Sequence, residues 1–260
     1  MPKVRVNNIE LYYEVHGQGY PVVFLHGFKD AVEMWKPQLS VFSQDYRLII
    51  YDARGHGQSE SPSSVEQYSA DIVVEDLFQL LGVLGVEKAV VGGLSMGGYI
   101  SLRFYLRHPE KVSALIIMDT GPGYRNPERM AEWTKDREEY ANFIERYGLE
   151  AFAERYYPLD KDMVHRHTSV TGLANMSRKV VAQHDSLVIE NLSKIKVPFL
   201  VLVGEDDVRF LRASEYMSKT IPGAKHAVIP KAGHVSNLDN AEAFNKVVLD
   251  FLSKLNLPKI

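Results

Sequence analysis

Gly92-Gly93-Leu94-Ser95-Met96-Gly97-Gly98 is the stretch that decides the fold, and it follows directly after the apolar run Ala89-Val90-Val91. A Gly-x-Ser-x-Gly pattern between a buried strand and a helix predicts a sharp turn that holds the serine hydroxyl above a sheet as a nucleophile. Gly93 and Gly97 lack the β-carbons that would clash where the strand and the helix approach each other. A glycine-rich turn can also contain a serine by chance, so the rest of the chain must decide the role of Ser95.

The chain on both sides of this turn alternates between strand and helix patterns. Residues 4–6 and 9–15 alternate apolar and polar side chains, which predicts two antiparallel strands joined by a turn at Asn7-Asn8. Apolar residues at helical spacing after Ser69 predict a helix with that serine as its N-cap. Continuous apolar runs predict strands covered on both faces, and they lie at residues 22–25, 47–51, 112–118 and 197–203. This alternation predicts a mostly parallel sheet between two layers of helices.

The pattern changes between Gly121 and Lys196, where strand signals stop and helical stretches rich in charged and aromatic residues begin. Strand patterns resume at residues 197–203 and 226–229, so the sheet continues after this segment. The sequence therefore predicts an α/β core formed by residues 1–120 and 197–260, with a helical cap inserted at residues 121–196.

The composition limits the classes of function. The 260 residues, 45% of them apolar, suffice for one large α/β domain. The formal net charge of −3 arises from interspersed charges, which disfavours nucleic acid or a membrane as partner and favours small molecules. The absence of cysteine excludes a thiol nucleophile and thiolate-bound metals. The first residues lack the apolar core of a secretion signal, and no segment has the ~20 apolar residues of a membrane span, so we expect a soluble, cytoplasmic protein. Nothing in the sequence distinguishes a monomer from a homodimer.

A nucleophilic serine needs a base, an acid that orients the base, and donors for the developing negative charge, because an unassisted hydroxyl reacts poorly at neutral pH. His234 follows the last predicted strand and is the candidate base, with Gly233 before it to allow close approach. The run Gly204-Glu205-Asp206-Asp207 follows the preceding strand and offers the acid. Serine, acid and histidine in this chain order match one of the convergent triad classes.

These features together resemble the α/β-hydrolase fold family, and the resemblance covers nearly the whole chain outside the cap. Besides the segments of the serine, acid and histidine, it rests on two motifs at strand ends, His26-Gly27-Phe28 and Asp52-Ala53-Arg54-Gly55-His56-Gly57-Gln58-Ser59. Five motifs in the family's order are far more specific than one. The resemblance implies a mostly parallel eight-stranded sheet with helices on both faces and an inserted helical cap.

The same resemblance implies which acid acts. In most members of this family the acid stands three residues after the glycine of the turn, which implies the catalytic set Ser95, Asp207 and His234. Asp206 is the main competitor of Asp207. Some relatives take the acid from the end of the sixth strand, where Asp119 lies, although an aspartate there can simply cap a turn.

The resemblance further implies an oxyanion hole formed by the backbone N–H groups of Phe28 and Met96. Met96 is expected at the first position of the helix after the serine. The positive end of the helix dipole would then strengthen the hydrogen bond from its N–H to the developing oxyanion. Side chains expected to line the substrate pocket are Phe28, Trp133, Tyr124 and Val235.

Several other residues with reactive side chains are expected to have structural rather than catalytic roles. His26 and the loop at residues 52–59 are expected to tie the turns around the oxyanion hole together by hydrogen bonds. The cap histidines His165, His167 and His184 lack the clustered ligands of a metal site, so we expect exposed histidines, no metal and no cofactor.

The predicted reaction is acyl transfer to water, with ester hydrolysis by a carboxylesterase as the first choice. A serine at the turn disfavours the related haloalkane dehalogenases and epoxide hydrolases, which use an aspartate there. Residues 232–238 and 241–245 resemble 3-oxoadipate enol-lactone hydrolases and small bacterial carboxylesterases. An enol-lactonase also needs a cation for the substrate carboxylate. The candidates for this cation are the arginines of the cap, which are Arg125, Arg129, Arg137, Arg146, Arg155 and Arg178. They alternate with acids, which favours solvated helix faces instead.

Three other functions are alternatives to ester hydrolysis. A carbon–carbon bond hydrolase is disfavoured because the turn at residues 27–30 lacks a Gly/Ser-rich loop. A cofactor-free haloperoxidase or perhydrolase activity is a common side reaction of such sites. A ligand-binding protein without activity is the third, since fold alone does not establish catalysis. The presence of all three triad residue types argues against it.

Overall fold

The computed structural model describes residues 3–158 and 160–258 and contains one eight-stranded sheet. Its strands are β1 (Lys3–Val6), β2 (Ile9–His16), β3 (Tyr20–Leu25), β4 (Tyr46–Tyr51), β5 (Ala89–Leu94), β6 (Val112–Met118), β7 (Phe199–Gly204) and β8 (Lys225–Ile229). Their order across the sheet is β1-β2-β4-β3-β5-β6-β7-β8. β2 pairs antiparallel with β1 and β4, and all other pairs are parallel. The predicted fold is therefore confirmed.

Helices connect the strands. They are α1 (Lys36–Phe42), α2 (Ala70–Val83), α3 (Met96–Arg107), α4 (Pro127–Tyr156), α5 (Val170–Met176), α6 (Leu187–Asn191), α7 (Leu211–Thr220), α8 (Ser236–Asp239) and α9 (Ala241–Ser253). Short 3₁₀ turns lie at Val32–Trp35, Val65–Gln67, Pro109–Lys111, Lys161–Arg166 and Leu192–Lys194, and a π turn at Ser177–Val181 continues α5. Ser69 is the N-cap of α2, as predicted, and its hydroxyl accepts a hydrogen bond from the Ile72 N–H at 3.1 Å.

The antiparallel hairpin at the amino end forms as predicted. Asn7 and Asn8 join β1 to β2 with φ values of 45° and 65°, a conformation that asparagine tolerates better than most residues. The paired residues run from Lys3 with Tyr12 to Val6 with Ile9. This hairpin places the edge of the sheet away from the turn that carries Ser95.

The two faces of the sheet bury separate apolar cores, because successive strand residues point to opposite faces. On one face Val23, Val91 and Ile117 pack with the apolar sides of α2 and α3. On the other face Phe24 and Ile116 pack with α1 and α9. Helices therefore cover both faces of the sheet, as the sequence predicted.

Between β6 and β7 the described residues form helices and loops rather than strands. The longest helix, α4, bends at Gly148, whose φ of 82° interrupts the helical backbone. Apolar residues of this helical segment, including Ile144, Phe152 and Leu173, join the core on the α2 and α3 side of the sheet. None of the helices among the described residues combines the length and the apolar character needed to cross a membrane.

Candidate active site

Ser95 occupies a strained turn between β5 and α3. Its backbone angles are φ 54° and ψ −111°, which residues with a side chain rarely adopt. A β-carbon on Gly97 would lie 2.1 Å from the carbonyl oxygen of Leu25, and one on Gly93 would lie 2.5 Å from the carbonyl carbon of Gly97. The Ser95 N–H donates to the Met118 carbonyl at 2.8 Å. The turn therefore needs both glycines, and it holds the hydroxyl at the carboxyl end of β5.

His234 and Asp207 meet Ser95 at this edge of the sheet, since they follow the neighbouring strands β8 and β7. His234 Nε2 lies 3.0 Å from Ser95 Oγ, and its Nδ1 lies 2.8 Å from Asp207 Oδ2. The Asp207 side chain is 5% exposed and that of His234 is 42% exposed. Because the carboxylate accepts the Nδ1 proton, Nε2 is left to accept the serine proton. The Phe210 ring stacks on the imidazole, with ring centroids 5.1 Å apart.

The two acids before Asp207 are not in contact with the histidine. Glu205 accepts the Lys231 N–H at 3.0 Å. Asp206 is exposed, and its side chain makes no hydrogen bond with any described residue. The chain turns after β7, so that only the third acid of the run faces His234.

Asp119 is buried and connects the loops that carry the acid and the histidine. Its Oδ1 accepts the Gly204 N–H at 2.8 Å, and its Oδ2 accepts the Ser236 hydroxyl at 2.5 Å. Burial raises the pKa of Asp119 to about 7, although these hydrogen bonds favour the charged form. The sequence offered Asp119 as an alternative acid or a turn cap, but the structure gives it no hydrogen bond to His234. It instead holds the two loops at a fixed separation.

Two backbone N–H groups, those of Phe28 and Met96, were expected to form the oxyanion hole. Met96 is the first residue of α3, so its N–H has no acceptor within the helix. Phe28 lies in the loop after β3, and its N–H donates to no acceptor among the described residues. The Phe28 ring is 8% exposed and packs edge-on against His56, with ring centroids 5.8 Å apart.

His26 and Asp52 tie together the loops after β3 and β4. His26 Nε2 accepts the Ala53 N–H at 3.0 Å, and burial lowers the pKa of His26 to about 4. Asp52 accepts the N–H groups of Val32 and Gln58, both at 2.8 Å. Burial raises the pKa of Asp52 to about 7. These contacts fix the loop that carries Phe28, as the sequence predicted.

His167 corrects one prediction. His165 and His184 are exposed as expected, but His167 is buried. Its Nδ1 accepts the Gly57 N–H at 3.2 Å, its Nε2 donates to the Lys29 carbonyl at 2.7 Å, and burial lowers its pKa. The reason is its position, because the segment between α4 and α5 covers the loops after β3 and β4. Among the described residues, no three His, Cys, Asp or Glu side chains are grouped to hold a metal ion.

Charged residues join the loop after β3 to the same segment. The Lys29 ammonium pairs with Asp30 at 3.1 Å and also with Asp160. Arg166 pairs with Asp160 at 2.8 Å and with Asp30 at 3.4 Å. The hydrogen bonds from Arg166 and Lys29 outweigh burial and lower the pKa of Asp160. The four charges are therefore neutralised within one cluster.

A cavity of about 270 Å³ opens at Ser95 and His234. Phe28, Trp133 and Val235, which are three of the four residues expected at the substrate pocket, line this cavity. Tyr124 does not line it. Its ring packs beside Trp133, with centroids 6.2 Å apart, so it supports the indole instead.

Other residues of the cavity wall were not expected there from the sequence, and they are Tyr140, Tyr157, Arg137, Arg209 and Phe210. Arg137 corrects a second prediction, because it is 6% exposed and not on a solvated face. Arg178 is half-buried and pairs with Glu145 at 2.7 Å. The remaining predicted surface arginines are exposed, and they are Arg125, Arg129, Arg146 and Arg155. The alternation of charges along α4 did not indicate that Arg137 is buried. Which helical position faces the cavity depends on how the helix packs and not on the charges of the neighbouring residues.

The fold and the site together define a class of protein. The family model described as alpha/beta hydrolase fold matches residues 20–160 of this chain. The chain therefore belongs to the alpha/beta hydrolase fold family, and it is a hydrolase.

Individual relatives cover almost the whole chain. It is 32% identical, over 250 residues that cover 90% of each chain, to a Bacillus subtilis (strain 168) protein named "Putative 2-succinyl-6-hydroxy-2,4-cyclohexadiene-1-carboxylate synthase". It resembles the enol-lactonase of Burkholderia xenovorans LB400 with a TM-score of 0.84 and 27% identity, covering 97% of this chain and 100% of that one. It resembles a malate-bound thermophilic esterase of Thermogutta terrifontis with a TM-score of 0.85 and 27% identity, covering 99% of this chain and 100% of that one.

Proposed function

We propose that this protein is a serine hydrolase that cleaves carboxylic esters of small molecules through an acyl-enzyme intermediate. The observation that carries the proposal is the hydrogen-bonded series from Asp207 through His234 to Ser95, with distances of 2.8 and 3.0 Å. Ser95 stands on a strained turn and lines a cavity of about 270 Å³. A serine, a base and an orienting acid within hydrogen-bond reach are the signature of nucleophilic catalysis.

The mechanism follows from these positions. His234 Nε2 takes the proton of the Ser95 hydroxyl as the oxygen attacks the ester carbonyl, and the Asp207 carboxylate stabilises the imidazolium. The N–H groups of Phe28 and Met96 receive the oxyanion of the tetrahedral intermediate. His234 then gives its proton to the leaving alcohol, which departs and leaves the acyl group on Ser95.

Hydrolysis of the acyl-enzyme repeats the sequence with water. His234 takes a proton from a water molecule that attacks the acyl carbonyl, and returns it to the serine oxygen as the carboxylic acid leaves. Every bond that forms or breaks is accounted for by the ester, water and the three side chains. The proposal therefore needs no cofactor.

We also propose that residues 121–196 act as a cap over an α/β core of residues 1–120 and 197–260. Trp133, Arg137 and Tyr140 of α4 line the cavity from the side opposite the strand ends, which supports this division. A cavity of about 270 Å³ lies near the lower limit of small-molecule sites, which favours small substrates.

A lactone is the second candidate substrate class. The support is the similarity to the enol-lactonase of Burkholderia xenovorans LB400, which covers 97% of this chain. A lactone is an internal ester, so the same attack, collapse and hydrolysis apply. The two classes differ only in whether the alcohol leaves or stays attached to the acyl group.

The test is hydrolysis of p-nitrophenyl acetate and butyrate, together with labelling by a fluorophosphonate. The intact protein should turn over both esters and become labelled at Ser95. Ser95→Ala should lose the label and lower kcat by about 10⁵-fold or more, whereas the exposed Ser193→Ala should change neither. An unlabelled protein without turnover, or a fully active Ser95→Ala variant, would show that the proposal is wrong.

A further inference from the structure

Arg137 presents a buried guanidinium group to the cavity that contains Ser95. The residue is 6% exposed, and its Nε is buried without a hydrogen-bond partner. Among the described residues, no oxygen accepts a hydrogen bond from its guanidinium. The guanidinium carbon lies 3.9 Å from the ring centroid of Tyr140 and 4.5 Å from that of Trp133. Aromatic faces therefore surround a charge that has no counter-ion.

The other buried arginines do have counter-ions. Among the described residues, Arg54 and Arg103 are buried to a similar degree, at 2% and 7% exposure. Arg54 pairs with Asp76 at 2.5 Å, and Arg103 pairs with Asp71 at 2.7 Å. Arginine stays charged at every pH the protein meets, and a buried charge without a partner is strongly unfavourable. Arg137 therefore differs from Arg54 and Arg103, which are similarly buried but each pair with a carboxylate.

The carboxylates of the cavity wall are already engaged. Asp30 accepts from Lys29 and Arg166, and Asp207 accepts from His234. A second cation, the exposed Arg209, also lines the cavity. Its guanidinium carbon lies 5.8 Å from the ring centroid of Trp133, so both guanidinium groups border the same indole. This end of the cavity is positively charged and suits an anion from outside the chain.

We propose that Arg137 binds a carboxylate group of the substrate, so that the preferred substrates are small esters or lactones that also carry a carboxylate. The inference rests on the proposed function, since it places the ester carbonyl at Ser95. A guanidinium offers parallel N–H donors that match the two oxygens of a carboxylate. The rings of Trp133 and Tyr140 keep water from the pair and strengthen it.

The test compares monomethyl glutarate with methyl 5-methylhexanoate, in which an isopropyl group of similar shape replaces the carboxylate. The wild type should prefer monomethyl glutarate in kcat/KM. Arg137→Met should lower that preference by about 10- to 100-fold, because one charge-assisted pair is lost. Arg137→Lys should restore part of it, since the charge is kept without the paired donors. Arg146→Met, on the exposed side of α4, should leave the preference unchanged.

Two further measurements separate binding from chemistry and from folding. Glutarate should bind the wild type in a calorimetric titration and bind Arg137→Met at least about tenfold more weakly. The melting temperature of Arg137→Met should be equal or higher, because the variant removes an unpaired buried charge.

Three results are decisive. Equal preference in the wild type and Arg137→Met would overturn the proposal. So would a variant that melts lower and loses activity equally on both esters, because Arg137 would then only support the aromatic packing. Glutarate binding that depends on Arg137, in a protein that cleaves neither these esters nor the p-nitrophenyl esters and is not labelled at Ser95, would support the carboxylate site and show that the proposed function is wrong.

Discussion

Replacing Asp207 by Asn tests the proposed orientation of His234 without changing the shape of the side chain. In the structure the Asp207 carboxylate lies 2.8 Å from Nδ1, and Nε2 lies 3.0 Å from Ser95 Oγ. An asparagine amide can donate to Nδ1, which places the imidazole proton on Nε2. His234 would then donate to the serine oxygen instead of accepting its proton.

The expected loss is large because no other acid can take the place of Asp207. Asp207 is buried, and Asp119 is held by Gly204 and Ser236. A wrong imidazole tautomer lowers kcat by about 10⁴-fold in a comparable triad, which corresponds to about 5 kcal/mol of barrier height. KM should change little, since the carboxylate is engaged by Nδ1 of His234 and is not expected to bind the ester.

The assay is steady-state hydrolysis of p-nitrophenyl butyrate by Asp207→Asn and by Asp206→Asn as the matched control. Asp206 is exposed and its side chain makes no hydrogen bond with the described residues, so its variant should keep kcat within about twofold. A large loss of kcat in Asp206→Asn together with an active Asp207→Asn would show that Asp206, and not Asp207, is the acid. Full activity in both would refute the role of an orienting acid.

Two other substitutions test the structure around the serine. Gly97→Ala should destabilise the fold by about 3 kcal/mol in urea denaturation, because its β-carbon would lie 2.1 Å from the Leu25 carbonyl oxygen. The control Gly82→Ala has open space within α2 and should be neutral or stabilising, so equal losses would contradict the steric argument. Asp119→Asn tests the raised pKa, since a folded-state pKa of about 7 lies above the ordinary value of 3.8. The protonated carboxyl then stabilises the fold below pH 4, and this contribution is lost as the pH rises through 7. The unfolding free energy of the wild type relative to Asp119→Asn should therefore fall by up to about 4 kcal/mol between pH 4 and pH 7, whereas a difference independent of pH would contradict it.

The strands and the helices of the sheet were predictable because their signals are local. The run at residues 112–118 coincides with β6, and the asparagine pair between residues 6 and 9 forms the hairpin turn. Buried strands need continuous apolar residues and tight turns need residues that tolerate positive φ, and both needs are visible in the sequence. The serine turn was predictable for the same reason, since Gly93 and Gly97 occupy positions where no β-carbon fits.

The helical segment between β6 and β7 was less predictable, because its sequence pattern indicates helices but not which side of each helix faces the core. His167 and Arg137 were expected at the surface, yet both are buried. Tyr124 was expected in the cavity, yet it packs behind Trp133. Each outcome depends on how α4 and the following segment lie across the loops of the core, which no local spacing determines.

The sequence by itself determined the fold, the strained turn at Ser95 and the candidates for acid and base. It did so because strands, tight turns and their glycines are set by neighbouring residues. The tertiary structure decided that Asp207 faces His234 and that Asp119 links their loops. It also decided that Arg137 reaches the cavity without a counter-ion. Those outcomes depend on contacts between residues far apart in the chain, where burial and charge act through space rather than along the sequence.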